Sequence, residues 1–159
     1  MNNKKDPKAA IEQIGKDLVK DILKGKQPEL LVPIRSLSNV EFNKKSGTLE
    51  LGNKKAERQF FNVAHAKKFL QTLEVAKVAR ELLEIGKHAS LRDVYYMVKR
   101  TIPNTKTDVV DEQTESDKAI EDLELLSEFS REQLNVNANK MGSVAGKVVV
   151  EDSGDTIDW

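Results

Sequence analysis

The amino-acid sequence predicts an α+β protein that is mainly helical. Several segments have apolar residues at helical spacing, among them residues 62–85 and 91–100. A very short, glycine-containing connection joins these two segments, which favours a helix-turn-helix. Short alternating segments typical of strands lie before and after the helical region.

The chain begins with a predicted amphipathic helix of about five turns. Asp6 and Pro7 suit the N-cap and the first helical residue, and Lys24-Gly25 suits the end. The apolar stripe of this helix consists of Ile11, Ile14, Leu18, Val19, Ile22 and Leu23. Two interpretations of the stripe remain open: it packs on its own domain, or it docks against a partner helix.

The next predicted element is a β-hairpin. Residues 39–42 (NVEF) and 48–51 (TLEL) alternate apolar and polar side chains, and a lysine- and glycine-containing turn, NKKSG, separates them.

A helix-turn-helix is then predicted. Residues 62–85 form its long helix, and Gly86 is a natural residue to follow the helix end. Three residues later, Ser90 is a good N-cap, with Asp93 in the third helical position of a capping box. A second helix follows over residues 91–100.

The order of the remaining elements predicts a winged helix. Ser116 is expected to cap a third helix over residues 117–134. Residues 134–152 then indicate a strand, a turn around Met141-Gly142 and a second strand. The inward side chains of the third helix are predicted to be Ile120, Leu123, Leu126 and Phe129. The final residues, SGDTIDW, indicate an acidic tail with no terminating element.

Three regions follow from these elements. Residues 1–60 form an N-terminal helix and hairpin extension, residues 61–150 form the winged-helix domain, and residues 151–159 begin a connector. Glu151, Asp152, Asp155 and Asp158 are interpreted as part of this connector and not as a metal site.

The composition excludes several classes of protein. The 159 residues contain no cysteine, which excludes a disulfide framework and cysteine-ligated zinc. No apolar run is long enough for a membrane span, and the N-terminus has no signal-peptide pattern, so a cytoplasmic protein is expected. His65 and His88 have no partner at ligand spacing, and neither is expected to bind a metal.

The net charge of zero conceals a strong asymmetry. Residues 1–107 contain 22 Lys and Arg against 12 Asp and Glu, whereas residues 108–159 contain 4 against 14. One surface could therefore attract a polyanion such as DNA. Two solvated faces of opposite sign would give the same pattern.

Both tyrosines of the chain lie side by side, at positions 95 and 96. Tyr95 shares the predicted buried face with Leu91, Val94 and Val98, so it is expected to be core. Tyr96 points elsewhere, one turn from Arg92 on one side and Arg100 on the other. Neighbouring cations stabilise a phenolate and also bind a phosphate. Tyr96 is thus a candidate nucleophile, although an exposed tyrosine stacked on an arginine stem would have the same spacing.

Four segments resemble the A subunits of type IIB DNA topoisomerases (topoisomerase VI). They are PIRSLSNV (33–40), FFNVAHAKKFLQTL (60–73), SLRDVYYMVKRTIPNT (90–105) and DEQTESD (111–117). This archaeal family is related to the protein that makes meiotic double-strand breaks. The resemblance implies that the tyrosine lies on a winged-helix domain like that of catabolite activator protein.

The resemblance also implies roles for individual residues. Tyr96 matches the nucleophile of the family, which forms a 5′-phosphotyrosyl link during ATP-dependent breakage and rejoining of both strands of supercoiled DNA. Arg92 matches the supporting cation that stabilises the phosphate or the phenolate. Lys99, Arg100 and Lys106 are also predicted to contact DNA.

Cofactors and partners are likewise implied by the resemblance alone. Family members hold Mg²⁺ in a Toprim domain, and no segment after residue 150 matches that domain. The chain is therefore expected to be an N-terminal portion that cannot cleave DNA alone, with no metal ligand of its own. An ATP-binding B subunit, together with a second A subunit, would complete an A2B2 heterotetramer on double-stranded DNA. The B subunit is then the expected partner if the stripe of the first helix docks.

Two functions without chemistry remain open. A winged-helix module that only binds DNA would have the same basic region and helix-turn-helix. A pure interaction module would use the first helix. Tyr96 in its arginine setting is the feature that favours an enzyme over both.

Overall fold

The structure, a computed structural model, describes residues 6–138, 149–152 and 155–158. It combines helices with small two-stranded sheets, which confirms an α+β fold. The helices are α1 (Pro7–Leu23), α2 (Val63–Ile85), α3 (Leu91–Val98) and α4 (Gln113–Ser127). The strands are β1 (Glu29–Pro33), β2 (Val40–Asn43), β3 (Thr48–Leu51), β4 (Lys55–Gln59), β5 (Ala89–Ser90), β6 (Val136–Asn137), β7 (Val149–Asp152) and β8 (Asp155–Asp158). None of the described helices is long and apolar enough to span a bilayer.

The first helix begins and ends as predicted, and it packs on α2. The Asp6 carboxylate caps it by accepting a hydrogen bond from the Lys8 N–H at 3.1 Å. Ile11 and Leu18 are buried, whereas Ile22 is 56% exposed. The interpretation that the stripe packs on its own domain is therefore confirmed for Ile11 and Leu18.

The predicted hairpin is confirmed, and the structure also contains a second strand pair that was not predicted. Strands β2 and β3 are antiparallel, with Val40 opposite Leu51. The strands that precede and follow this hairpin in the chain, β1 and β4, also pair antiparallel. Leu30 and Val32 of β1 are buried. The Asn39 side chain joins the two pairs, because its amide donates to the carbonyls of residues 34 and 54.

The long helix α2 lies at the centre of the fold, packed against α1, α3, α4 and β4. Its C-terminal end follows the prediction, whereas the capping role of Asn62 was not predicted. The Asn62 side chain accepts from the Ala64 N–H at 3.0 Å, and Gly86 ends the helix with a φ of 68°. The largest fully buried apolar side chains of the core are Ile120, Leu123, Leu134, Val32, Val75, Val94, Val98, Val109, Val110 and Val136.

The predicted boundaries of the helix over residues 117–134 are wrong. Helix α4 starts at Gln113 and ends at Ser127, so Ser116 is not its N-cap. Ser116 lies fully buried inside the first turn, where its hydroxyl donates to the Gln113 carbonyl at 2.7 Å. Glu128 follows the helix in the left-handed region at φ 62°, which breaks the helix before Phe129.

The C-terminal region differs in part from the prediction. The segment at 136–137 is a strand, but it pairs in parallel with β5 next to α3. The predicted turn at Met141-Gly142 lies outside the described residues. The predicted lack of a terminal element is wrong, because Val149–Asp152 pairs antiparallel with Asp155–Asp158 in a hairpin.

The burial of α1 predicts unequal effects of two matched substitutions. Ile11→Ala should lower the free energy of unfolding by about 2–5 kcal/mol, since it leaves a cavity in the core. Ile22→Ala, on the same helix, should change it by less than about 1 kcal/mol, since Ile22 is 56% exposed. Urea unfolding of both variants measures the difference. Equal losses would show that α1 does not dock through Ile11.

Candidate active site on the third helix

Helix α3 is held firmly at its start and along its inner face. The Ser90 hydroxyl accepts from the Asp93 N–H at 3.1 Å, and the Asp93 carboxylate accepts from the Ser90 N–H at 2.9 Å. This is the predicted capping box. Val94 and Val98 are buried in the core. The rotation of this short helix, and with it the face on which each residue lies, is thereby fixed.

The two tyrosines differ in exposure as predicted. Tyr95 is partly buried and packs against the main core, together with Leu91. Tyr96 is 57% exposed. Their rings remain neighbours, with centroids 5.1 Å apart and planes tilted by 55°. Of the two phenols, that of Tyr96 is the more exposed.

Arg92 lies beside Tyr96, one helical turn earlier. Its Nη2 donates to the Tyr96 hydroxyl at 3.3 Å, and its guanidinium carbon lies 5.8 Å from the ring centroid. The hydrogen bond to Tyr96, followed by the electrostatic attraction of that phenol, raises the pKa of Arg92. The cation predicted to serve this tyrosine is therefore in contact with it.

Lys99 contacts the other tyrosine. Its ammonium donates to the Tyr95 hydroxyl at 2.7 Å and lies 5.1 Å from the Tyr95 ring centroid. This hydrogen bond is the largest cause of the raised pKa of Lys99. The Tyr95 hydroxyl in turn donates to the Asp111 carbonyl at 3.3 Å. Helical spacing did not predict this arrangement, which joins α3 to the loop that precedes α4.

The prediction that Arg100 flanks Tyr96 is wrong. Helix α3 ends at Val98, so the one-turn spacing does not extend to Arg100. Its guanidinium instead forms an ion pair with Glu74 on α2. The remaining predicted DNA contact, Lys106, is exposed in the loop that follows α3, outside the contacts of the two tyrosines.

A polar cluster that the sequence did not reveal fixes the loop behind Tyr95. Lys67 on α2 donates to Asp111 Oδ2 at 2.5 Å and to Glu115 Oε1 at 3.1 Å. The Asp111 N–H donates to Glu115 Oε2 at 2.7 Å. The hydrogen bond with Asp111 raises the pKa of Lys67. Burial alone would raise the pKa of Glu115, but the Asp111 N–H and the Lys67 ammonium lower it on balance.

The described residues do not fit a metal centre. Within residues 6–138, no three His, Cys, Asp or Glu side chains converge as a metal site requires. His65 lies in the first turn of α2, whereas His88 lies three residues beyond its end. Glu151, Asp152, Asp155 and Asp158 lie on the terminal hairpin.

Comparison with known proteins identifies what this arrangement is similar to. Residues 67–136, which include α3, match the family model described as type IIB DNA topoisomerase. The chain is 40% identical over 145 residues to the A subunit of type 2 DNA topoisomerase 6 from Pyrococcus abyssi. The identity is 35% over 148 residues to the protein of the same name from Aeropyrum pernix, and 37% over 136 residues to that from Methanocaldococcus jannaschii.

Each match covers most of this chain but a much smaller share of the relative. They cover 91%, 89% and 86% of this chain. In the same order, they cover 38%, 38% and 36% of the relatives. The chain thus spans less than two fifths of the length of these topoisomerase subunits. The resemblance predicted from the four sequence segments is confirmed over most of the chain.

The capping box predicts a pH-dependent contribution to stability. Hydrogen bonds from Ser90 hold the pKa of Asp93 below its ordinary value of 3.8. Because this pKa is lowered on folding, its contribution is fully present above pH 3.8 and is lost as the pH falls through the folded-state pKa. Asp93→Asn should therefore be less stable than the wild type near pH 7, by about 0.5–1 kcal/mol.

Urea unfolding from pH 7 down to about pH 2 tests this prediction, and the two proteins should converge in stability at the acidic end. Ser90→Ala should also be less stable than the wild type over the same pH range. A constant difference between Asp93→Asn and wild type at all pH values would contradict the proposed role of the Asp93 charge.

Proposed function

We propose that this chain, whose residues 67–136 match the type IIB DNA topoisomerase family, carries the DNA-breaking tyrosine of a topoisomerase A subunit. It would form the N-terminal part of that protein. The observation that carries the proposal is the pairing of an exposed phenol, Tyr96, with the guanidinium of Arg92 on a rigidly capped helix. Arginine is well suited to bind a phosphate there without losing its own charge.

The proposed reaction is a transesterification at one phosphodiester. The Tyr96 oxygen attacks the phosphorus, and the bond from phosphorus to the 3′-oxygen breaks. The phenol loses its proton, and the departing 3′-oxygen gains one. The products are a 5′-phosphotyrosyl link and a free 3′-hydroxyl, so the reverse attack by that hydroxyl reseals the strand. Arg92 would stabilise the charge that develops on the phosphate.

Double-stranded DNA is the proposed substrate, bound mainly through its phosphates. Lys99 and Lys106 would add contacts near the tyrosine. Arg100 would have to exchange its ion pair with Glu74 for a phosphate. Contacts of this kind read no sequence, and their strength falls steeply with salt.

The complete enzyme would need components that the described residues do not supply. We propose that a Toprim domain of the full-length protein holds Mg²⁺ and that a partner B subunit binds ATP. A second A subunit would supply the second tyrosine for the opposite strand, giving an A2B2 heterotetramer on the DNA of the cytoplasmic nucleoid. We further propose that α2, α3 and α4 form the helical part of a winged-helix domain.

A winged-helix module that binds DNA without breaking it is the alternative. It would use the same cations but would not depend on the Tyr96 hydroxyl. A covalent intermediate is the property that separates the two functions.

Replacing each tyrosine by phenylalanine tests the catalytic assignment. Residues 1–159 would replace the aligned segment of the Pyrococcus abyssi relative, and that chimera would be assembled with the remainder of its topoisomerase. The Tyr96→Phe chimera should bind DNA but form no covalent adduct, because the nucleophilic oxygen is gone. The Tyr95→Phe chimera should retain the adduct. Denaturing gels of radiolabelled DNA measure both.

Two outcomes of that experiment would count against the assignment. An adduct that survives Tyr96→Phe would show that another residue attacks the phosphate. A chimera that binds DNA tightly, is active in no form and is unaffected by either substitution would favour the non-catalytic module. The intact Pyrococcus abyssi topoisomerase is the positive control.

DNA binding by the 159-residue chain itself provides a second test. Arg92→Gln should weaken binding to a short duplex and reduce the dependence of log affinity on log salt by about one unit. Arg80→Gln is the matched control. Arg80 lies on α2, away from α3, and pairs there with Glu84 and with Glu12 of α1. Fluorescence anisotropy at several salt concentrations measures both. Equal effects of the two substitutions would mean that only overall charge matters.

A further inference from the structure

We infer that Tyr95 is a positioning residue: its hydroxyl holds the Lys99 ammonium so that it contacts a phosphate of the DNA strand that Tyr96 attacks. This inference rests on the proposed function. It assigns to Tyr95 a role beyond packing, and it gives Lys99 a role in binding the DNA backbone. The ligand is the phosphodiester backbone of one strand.

Four side chains form a continuous row along α3. The Arg92 guanidinium carbon lies 5.8 Å from the centre of the Tyr96 ring, and the Tyr96 and Tyr95 ring centres are 5.1 Å apart. The Lys99 ammonium lies 5.1 Å from the centre of the Tyr95 ring. One cation therefore stands at each end of the tyrosine pair, with the exposed phenol of Tyr96 between them.

These two cations are held in a way that preserves their charge. Arg92 donates to the Tyr96 hydroxyl at 3.3 Å, and Lys99 donates to the Tyr95 hydroxyl at 2.7 Å. A phenol is neutral near pH 7, so it fixes the direction of the cation without neutralising it. Within residues 6–138, neither Arg92 nor Lys99 forms an ion pair with a carboxylate.

Other cations of the fold are held differently. Carboxylates pair with Arg58, Lys67, Arg80, Arg100 and Arg131, and the partners include Asp122, Asp111, Glu12, Glu74 and Glu124. Such pairs stabilise structure but leave less charge for an external anion. Two carboxylates act electrostatically on these cations, and both are engaged elsewhere: Asp93, near Arg92, accepts from Ser90, and Asp108, near Lys99, accepts from Thr101. Because Arg92 and Lys99 are held by tyrosine hydroxyls and not by carboxylates, this row is suited to bind an anion.

Tyr95 is suited to hold a lysine because it is itself immobile. Its ring packs against the core, and its hydroxyl donates to the Asp111 carbonyl at 3.3 Å. Asp111 is fixed by Lys67 and by its N–H bond to Glu115. A lysine side chain is otherwise flexible, and ordering it on binding costs entropy. Holding Lys99 before DNA arrives removes part of that cost.

A double-mutant cycle on duplex affinity tests the inference with the 159-residue chain. Lys99→Gln should weaken binding and lower the salt dependence by about one unit. Tyr95→Phe should weaken binding about two- to tenfold and leave the salt dependence unchanged, because the charge remains but is no longer held. The double variant should bind like Lys99→Gln alone, because Tyr95 acts only through Lys99. Far-UV circular dichroism and melting confirm that each variant is folded.

The outcomes separate the inference from the proposed function. If Arg92→Gln weakens binding but Lys99→Gln does not, the inference is overturned and the proposed function stands. If the effects of Tyr95→Phe and Lys99→Gln add, Tyr95 does not act through Lys99, which also overturns it. If none of the three substitutions changes affinity, this face does not bind DNA, and the proposed function itself fails.

A measurement on the wild-type chain tests the inference even if Tyr95→Phe does not fold. The side-chain resonances of Lys99 should show restricted motion before DNA is added, and they should shift when a short duplex is titrated. A Lys99 side chain as mobile as that of Lys106 in the free protein would overturn the inference by itself.

Discussion

The candidate site depends on one geometric constraint, which is the fixed rotation of the short helix α3. Successive residues of a helix point about 100° apart, so the burial of Val94 and Val98 decides where both tyrosines point. Tyr95 is turned toward the core and Tyr96 toward solvent. The capping box sets where the helix starts, so that Arg92 and Tyr96 both lie within it, one turn apart. A helix of eight residues could not hold these directions on its own, since most of its stability comes from packing.

The elements that could be predicted are those whose signals are local. The ends of α2 and the start of α3 follow from Asn62, Gly86 and Ser90, because caps and left-handed turns depend on residues within a few positions. Tertiary context decided the rest. Ser116 resembles a cap but satisfies its hydroxyl inside α4, and the β1–β4 pair joins segments far apart in sequence. The composition of β4, KAERQ, carries little strand signal.

The same division applies to the candidate site. Helical spacing and the resemblance to topoisomerase subunits both singled out Tyr96 and Arg92, which are neighbours on one helix. Spacing failed for Arg100, which follows the helix end and turns to Glu74 on α2. It also could not show that the Tyr95 hydroxyl joins Lys99 to the loop at Asp111, since that contact depends on how α2, α3 and α4 pack. Side-chain direction within a helix can be predicted from sequence, whereas contacts between elements require the fold.

The central claim is that the exposed phenol, and not its half-buried neighbour, reacts with DNA. Peptide mapping of the covalent complex tests it most directly. The complex would be trapped with the assembled enzyme, its DNA trimmed by nuclease, and the peptide that spans residues 90–100 sequenced by tandem mass spectrometry. We expect a residual nucleotide phosphate on Tyr96 and an unmodified Tyr95. Nucleotide on Tyr95, or on a peptide outside α3, would contradict the claim.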